Sequence, residues 1–297
     1  MNVLSKIRWH YHLMLLPGMV FLAVFHLYPM FGAVIAFKKY LPSKGIWGSP
    51  WIGLDNILYM FQISDSRLVL FNTLFISSWK IVAHLAVPLL FALLLNEVRN
   101  RYFKKWVQTI VYLPHFMSWV ILSIILVDML SLRGIVNQLL GLFGIDPVLF
   151  LGSNSWFPFV LVSSDVWKEF GFKAIIYLAA LTAINPSLYE AAEIDGATRW
   201  QKLLYVTLPG IMTTVILMAT LSLDNVLSAG FEQILNLYNP LVYASGDVID
   251  TYVYRVGLVH SQYGIASAVG LMKSVVSFIL IVLSYQLASR FANYRIF

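Results

Sequence analysis

Charged residues make up only 11% of this 297-residue sequence, so each one placed inside an apolar run needs a reason. Asp165, Trp167, Lys168, Glu169 and Lys173 crowd the middle of one such run, from about 156 to 184. Lys80 and His84, spaced to share a helical face, sit within the run 69–96, and Lys273 lies within 263–290. Ionisable groups are costly beside lipid and are functional candidates by default. What they offer inside a membrane is charge and hydrogen bonding for a polar solute. At about 1.5 Å per residue, Lys80 lies roughly 16 Å from the near end of its run. Trp167, Lys168 and Lys273 lie at similar depth, near the midplane where transporters often place their sites. A second reading stands beside this one: Asp165 with Lys168, and Glu169 with Lys173, have the spacing to pair along a single helix. His115 follows Pro114, where a kink frees a backbone carbonyl that a polar neighbour can repair. Asp224 and Asn225 fit either an exit path or a partner contact.

Other chemistries find no support. The chain has no cysteine, which removes disulfides, thiolate metal sites and cysteine nucleophiles. It has no Gly-x-x-x-x-Gly-Lys-Ser/Thr phosphate cradle, no His-Glu-x-x-His and no Gly-x-Ser-x-Gly. No catalytic residue and no metal ligand is expected. A channel lacks its signatures here: no Thr-Val-Gly-Tyr-Gly filter, Arg-rich sensor or charged ring is found. A proton-coupled carrier is the remaining rival, since midplane charges suit proton coupling.

The elements that must position these residues are membrane helices. With 60% hydrophobic residues, the chain cannot cover a water-facing surface, and a spanning helix needs about 20 apolar residues. Six runs qualify, at roughly 11–37, 69–96, 107–130, 156–184, 205–227 and 263–290, which makes the chain 1–297 one all-α transmembrane domain. The first follows Lys6 and Arg8 without a convincing cleavage site and reads as a retained span. Placing both termini in the cytoplasm puts Lys6, Arg8, Arg99, Arg101, Lys104, Lys105, Arg199, Lys202, Arg290 and Arg295 inside. Lys38, Lys39, Lys44, Arg67, Arg133 and Arg255 then lie outside, on a longer total length of loop. Within Gly134–Phe150, apolar residues at helical spacing fit either a short interfacial helix or a loop packed on its own spans.

The loop 185–204, between spans four and five, is more than a connection. Asn185 is a good N-cap, Pro186 suits the first helical position, and Gly196 can take the left-handed conformation that ends a helix. A second helix starts near Thr198. The result is a helix-turn-helix knob carrying Leu188, Ala191, Ala192 and Ile194 with Glu190, Glu193 and Asp195.

Glu190-Ala191-Ala192-Glu193-Ile194-Asp195-Gly196-Ala197, followed by Leu208-Pro209, resembles the EAA loop of type I ABC importer permeases. The resemblance implies that fold and makes Glu190, Ala191, Ala192, Glu193, Asp195, Gly196 and Ala197 the element coupled to an ATPase. It further implies a second homologous permease, two ATPase subunits that bind ATP and magnesium, and an external solute-binding protein. No cofactor is expected in this chain, and the bacterial inner membrane is the expected location. Tyr28-Pro29-Met30-Phe31-Gly32, the Gly45–Leu54 segment and Val248–Arg255 look like the branch handling complex or acidic oligosaccharides such as alginate and pectin fragments. In related sugar permeases a tryptophan aligning with Trp167 contacts sugar, and aromatic faces stack on sugar rings. On that reading Asp165, Trp167, Lys168, Glu169, Lys80, His84 and Lys273 are the substrate-pathway candidates. Lys80, His84, Lys168 and Lys273 would make the cavity positive and suit uronates; packing and pairing remain equally open for them.

Overall fold

The computed structural model describes residues 3–222 and 226–292, so Asp224, Asn225 and Arg295 lie outside the described residues. The chain is all-α; among the described residues no strand forms, apart from an isolated bridge between Lys38 and Trp51. Five helical segments are long and apolar enough to cross a membrane: Tyr11–Phe37, Asp65–Glu97, Trp119–Leu142, Arg199–Ser222 and Tyr263–Leu283. Phe157–Thr182, with Pro186–Ile194 bent 65° away from it, supplies a sixth. At 26 residues, Phe157–Thr182 extends about 39 Å. Length is therefore not what distinguishes it; its charges are.

The chain divides into two compact units, one formed up to Ser66 with Val253–Met272, the other by Arg67–Tyr252 with the chain from Lys273. In the first unit the apolar side chains of Leu13–Phe31 are largely exposed, as lipid contact requires. Pro29 has no N–H to give the helix, and the register loosens just before it: Ala23–Leu27 is a π turn in which the Tyr28 N–H reaches Ala23 O. Asn56 Nδ2 ties this segment to the next helix through Ala36 O at 2.9 Å and Lys38 O at 3.1 Å.

The second unit holds two apolar clusters along the same pair of helices. Ile76, Phe157 and Leu161 pack with Ile234, Leu237, Val242 and Val248. Ala92 and Leu95 pack with Ala174, Tyr177, Leu178, Leu181 and Ile211. Between them lies the polar layer: residues 80–84 on helix Ser64–Glu97, and 165–173 on Phe157–Thr182.

The run expected as one span at 107–130 is broken. Helix Arg101–Tyr112 gives way to a 3-10 turn at Leu113–Phe116, and a new helix starts at Trp119. Pro114 denies the continuing helix a donor, and Ser118 Oγ caps the new one by accepting from Ile121 N at 3.3 Å. Within 134–150 a helix forms at Ile135–Leu142. Asn137 pins it to its own loop, donating to Ser131 O and Val148 O and accepting from Val148 N at 2.8 Å.

Candidate functional site

The midplane charges form two adjoining networks. Lys80 Nζ donates to Ala229 O at 2.7 Å and to Gln233 Oε1, and stands 3.5 Å from Asp165 Oδ2. His84 Nε2 donates to the same carboxylate oxygen at 2.8 Å, so Lys80 and His84 do share a face. Gln233 is fully buried and passes its amide hydrogens to Leu161 O and Ser164 Oγ, each at 2.8 Å. Gly230, at φ 94°, leaves room for the ammonium, since a Cβ there would approach Lys80 Nζ to 3.0 Å.

The second network repairs the break at Pro114. Lys168 Nζ donates to His115 O at 2.9 Å and to Glu169 Oε1 at 3.1 Å, and lies 5.8 Å from the Trp119 ring centroid. His115 Nδ1 reaches Glu169 Oε2 at 2.9 Å, and its ring stacks on Phe172 with centroids 4.0 Å apart. The carbonyl freed by the broken helix is thus satisfied by Lys168 rather than by a neighbour in its own segment. In a third pair, Lys273 Nζ meets Asp250 Oδ1 at 2.5 Å.

These contacts redraw the expected pairings. Asp165 turns to Lys80 and His84 on another helix instead of to Lys168, and Glu169 pairs with Lys168 and His115 instead of with Lys173. Lys80, Lys168 and Lys273, which would have made the cavity positive, each stand against a carboxylate. Gln233 and Asp250 complete these networks, yet nothing in the spacing of the polar 228–262 segment singles them out.

A cavity of about 240 Å³ opens within this unit, lined by Ser77, Lys80, His84, Asp165, Glu169 and Lys173 together with Ser228, Ala229 and Gly230. Four of the pathway candidates therefore share one cavity. Trp167 is 42% exposed and does not line it, and neither Lys168 nor Lys273 does.

The knob is built from local contacts. Asn185 Oδ1 accepts from Ser187 N at 3.0 Å, and Pro186 opens the helix Pro186–Ile194. Gly196, at φ 75°, closes it: Gly196 N donates to Glu193 O and Ala197 N to Ala192 O, the pair of hydrogen bonds that seals a helix end. Thr198 and Gln201 form a reciprocal capping box for the next helix. Lys202 Nζ reaches back to Glu193 Oε2 at 2.9 Å, and Tyr189 meets Thr207 at 3.0 Å, so the two arms are braced. The Lys202 contact holds the exposed Glu193 carboxyl below its usual range. Ile194 is 88% exposed, with Leu188 and Trp200 also open.

Residues 88–293 match the family described as the inner membrane component of binding-protein-dependent transport systems. Among relatives, the polygalacturonan/rhamnogalacturonan transport system permease protein YteP of Bacillus subtilis (strain 168) is 40% identical over 96% of this chain and 89% of its own length. LplB of the same organism is 38% identical over the whole of this chain and 93% of its own. A bacterial ABC transporter involved in the import of the acidic polysaccharide alginate superposes with a TM-score of 0.89 at 41% identity, covering 96% of this chain and 97% of that one. An alginate ABC transporter in complex with an alginate pentasaccharide-bound periplasmic protein also gives 0.89, at 39% identity and 98% coverage of both. With its apolar helices and its match from residue 88 to 293, the chain belongs to the inner membrane components of binding-protein-dependent transport systems, as a multi-pass, non-catalytic permease subunit of an ABC importer.

Proposed function

We propose that this permease passes acidic oligosaccharides of the alginate or pectin type across the bacterial inner membrane, and that the whole chain works as a single transmembrane domain with both termini in the cytoplasm. Its Glu190–Ala197 knob docks on an ATPase subunit that binds ATP and magnesium. A second homologous permease, a second ATPase and an external solute-binding protein complete the assembly. The observation that carries this reading is the knob: a capped and braced helix exposing Leu188 and Ile194. Among the described residues, Glu190 on this helix and Asp195 at its C-cap have no side-chain partner. Rigid, exposed and apolar at its tip, such an element suits a groove on another protein. The acidic substrate is supported by the pectin- and alginate-related relatives. The sugar's path runs past Asp165, Glu169, Lys80 and His84 on the cavity wall, with Trp167, Lys168 and Lys273 as further candidates around it.

The native chain has no cysteine, so Leu188→Cys introduces a unique thiol in it. In membranes holding the full complex, a bifunctional crosslinker should join that thiol to the ATPase subunit, and Gly196→Pro should leave ATP hydrolysis uncoupled from uptake. Labelling of the thiol from outside intact cells, or normal uptake by Gly196→Pro, would remove the coupling role.

A further inference from the structure

Three ammonium groups, Lys80, Lys168 and Lys173, share the polar layer with two carboxylates, Asp165 and Glu169. Lys80 and His84 engage Asp165, while Lys168 and His115 engage Glu169. Lys173 is left over. Among the described residues it makes no hydrogen bond and no ion pair, and Asp165 and Glu169 act on it only at longer range. Two more polar atoms face the same predicament. Ser77 Oγ and His84 Nδ1 are buried without a hydrogen-bond partner, and both residues line the cavity that Lys173 lines.

The unmet groups specify a ligand. An ammonium and a hydroxyl can donate to an anion. His84 gives its Nε2 hydrogen to Asp165, which leaves Nδ1 of the neutral ring as an acceptor. The cavity therefore lacks an anionic oxygen pair with a hydroxyl donor close by, which is how a uronic acid ring is built. Its volume of about 240 Å³ lies below the roughly 300–1,000 Å³ of sites that enclose a drug-sized ligand, a scale for one sugar unit and not for a chain.

We propose that Lys173, Ser77 and His84 form a uronate subsite, in which one sugar carboxylate sits on Lys173 and Ser77 while a ring hydroxyl donates to His84 Nδ1. The proposal rests on the acidic-oligosaccharide reading above and moves substrate recognition away from Lys80 and Lys168, whose charges are already answered.

Lys173→Cys tests it in the full complex reconstituted into proteoliposomes with its binding protein, since it gives this chain its only thiol. Trigalacturonate uptake should fall about tenfold, the scale of one charge-assisted hydrogen bond. Aminoethyl methanethiosulfonate, which restores an ammonium, should recover it, and methyl methanethiosulfonate should not. Galacturonate should slow labelling of the new thiol, and galactose should not. Ser77→Ala should give a smaller fall in the same assay. Undiminished uptake, equal recovery by both reagents, or no protection by galacturonate overturns the subsite and leaves the acidic reading intact. If the unmodified complex carries neutral trisaccharides but no trigalacturonate, both readings fall. Loss of the second permease from the Lys173→Cys complex, without galacturonate protection, assigns Lys173 to a carboxylate of that partner and also overturns the subsite.

Discussion

The polar layer of the Phe157–Thr182 helix and the knob that follows it carry similar residues in opposite situations. In the layer, Asp165 and Glu169 each receive a lysine and a histidine; Lys80, His84 and His115 come from segments far away in sequence, and Lys168 is Glu169's own neighbour. On the knob, Glu190 and Asp195 face solvent, and Glu193 alone of the three meets a cation, nine residues away. A buried charge must find its partner inside the fold, because desolvation is expensive when unanswered. An exposed charge can wait for another protein. The contrast separates charges that hold this permease together from those available to its partners, and within the layer it isolates Lys173.

The sharpest way to break the comparison is at Asp165. Asp165→Leu strands Lys80 and His84 without their carboxylate, and removing one partner of a buried pair costs about 3–5 kcal/mol. Purified complex should unfold at markedly lower temperature or fail to accumulate. Adding Lys80→Met to Asp165→Leu should return a large part of the loss, because the stranded ammonium is gone. If the single and double variants melt alike, Lys80 is solvated through the cavity and the layer is not internally answered.

A middle-sized effect belongs to the knob. Thr198→Ala removes one side of the capping box and should cost about 1 kcal/mol, read as a small downward shift in melting. On the proposed coupling role, uptake should fall by more than that loss of stability accounts for, since a frayed second arm would transmit less force. Equal and proportionate losses would reduce the knob to an ordinary connection.

Legibility follows the same division. The knob's Asn185, Pro186 and Gly196 were readable because each acts within a few residues, and the structure uses all three as their types dictate; the second helix starts at Thr198 as expected, with a capping box to Gln201 that the structure adds. The membrane runs were readable from composition, although the break at Pro114 divides one of them. The pairings in the polar layer were not readable. Local spacing offers Asp165 a lysine three residues on, whereas its partner His84 lies 81 residues away, and Lys80 finds Gln233 at a separation of 153. Helical periodicity fixes which face a residue occupies but not which other helix covers that face. For the same reason Lys173, with no distant partner, could be singled out only after the others had found theirs.

The smallest expected effect is also the most discriminating. Lys202→Met breaks the 2.9 Å contact to Glu193 at a site where Glu193 is fully open to water. Exposed ion pairs contribute little, and salt screens what they do contribute. The Glu193 carboxyl is held below its usual range, so any stabilisation from this pair is present above the unfolded-state pKa and fades as pH falls through the folded one. The melting temperature of Lys202→Met complex should therefore match the unmodified one at neutral pH, and should stay matched on acidification. Uptake should be close to normal as well, because the capping box and the sealed end at Gly196 still fix the arms. A drop of several degrees, largest at neutral pH and erased by acid, would show that an exposed pair holds the knob as buried pairs hold the layer. The division between answered interior and waiting surface would then fail at the place where the two regions are most alike.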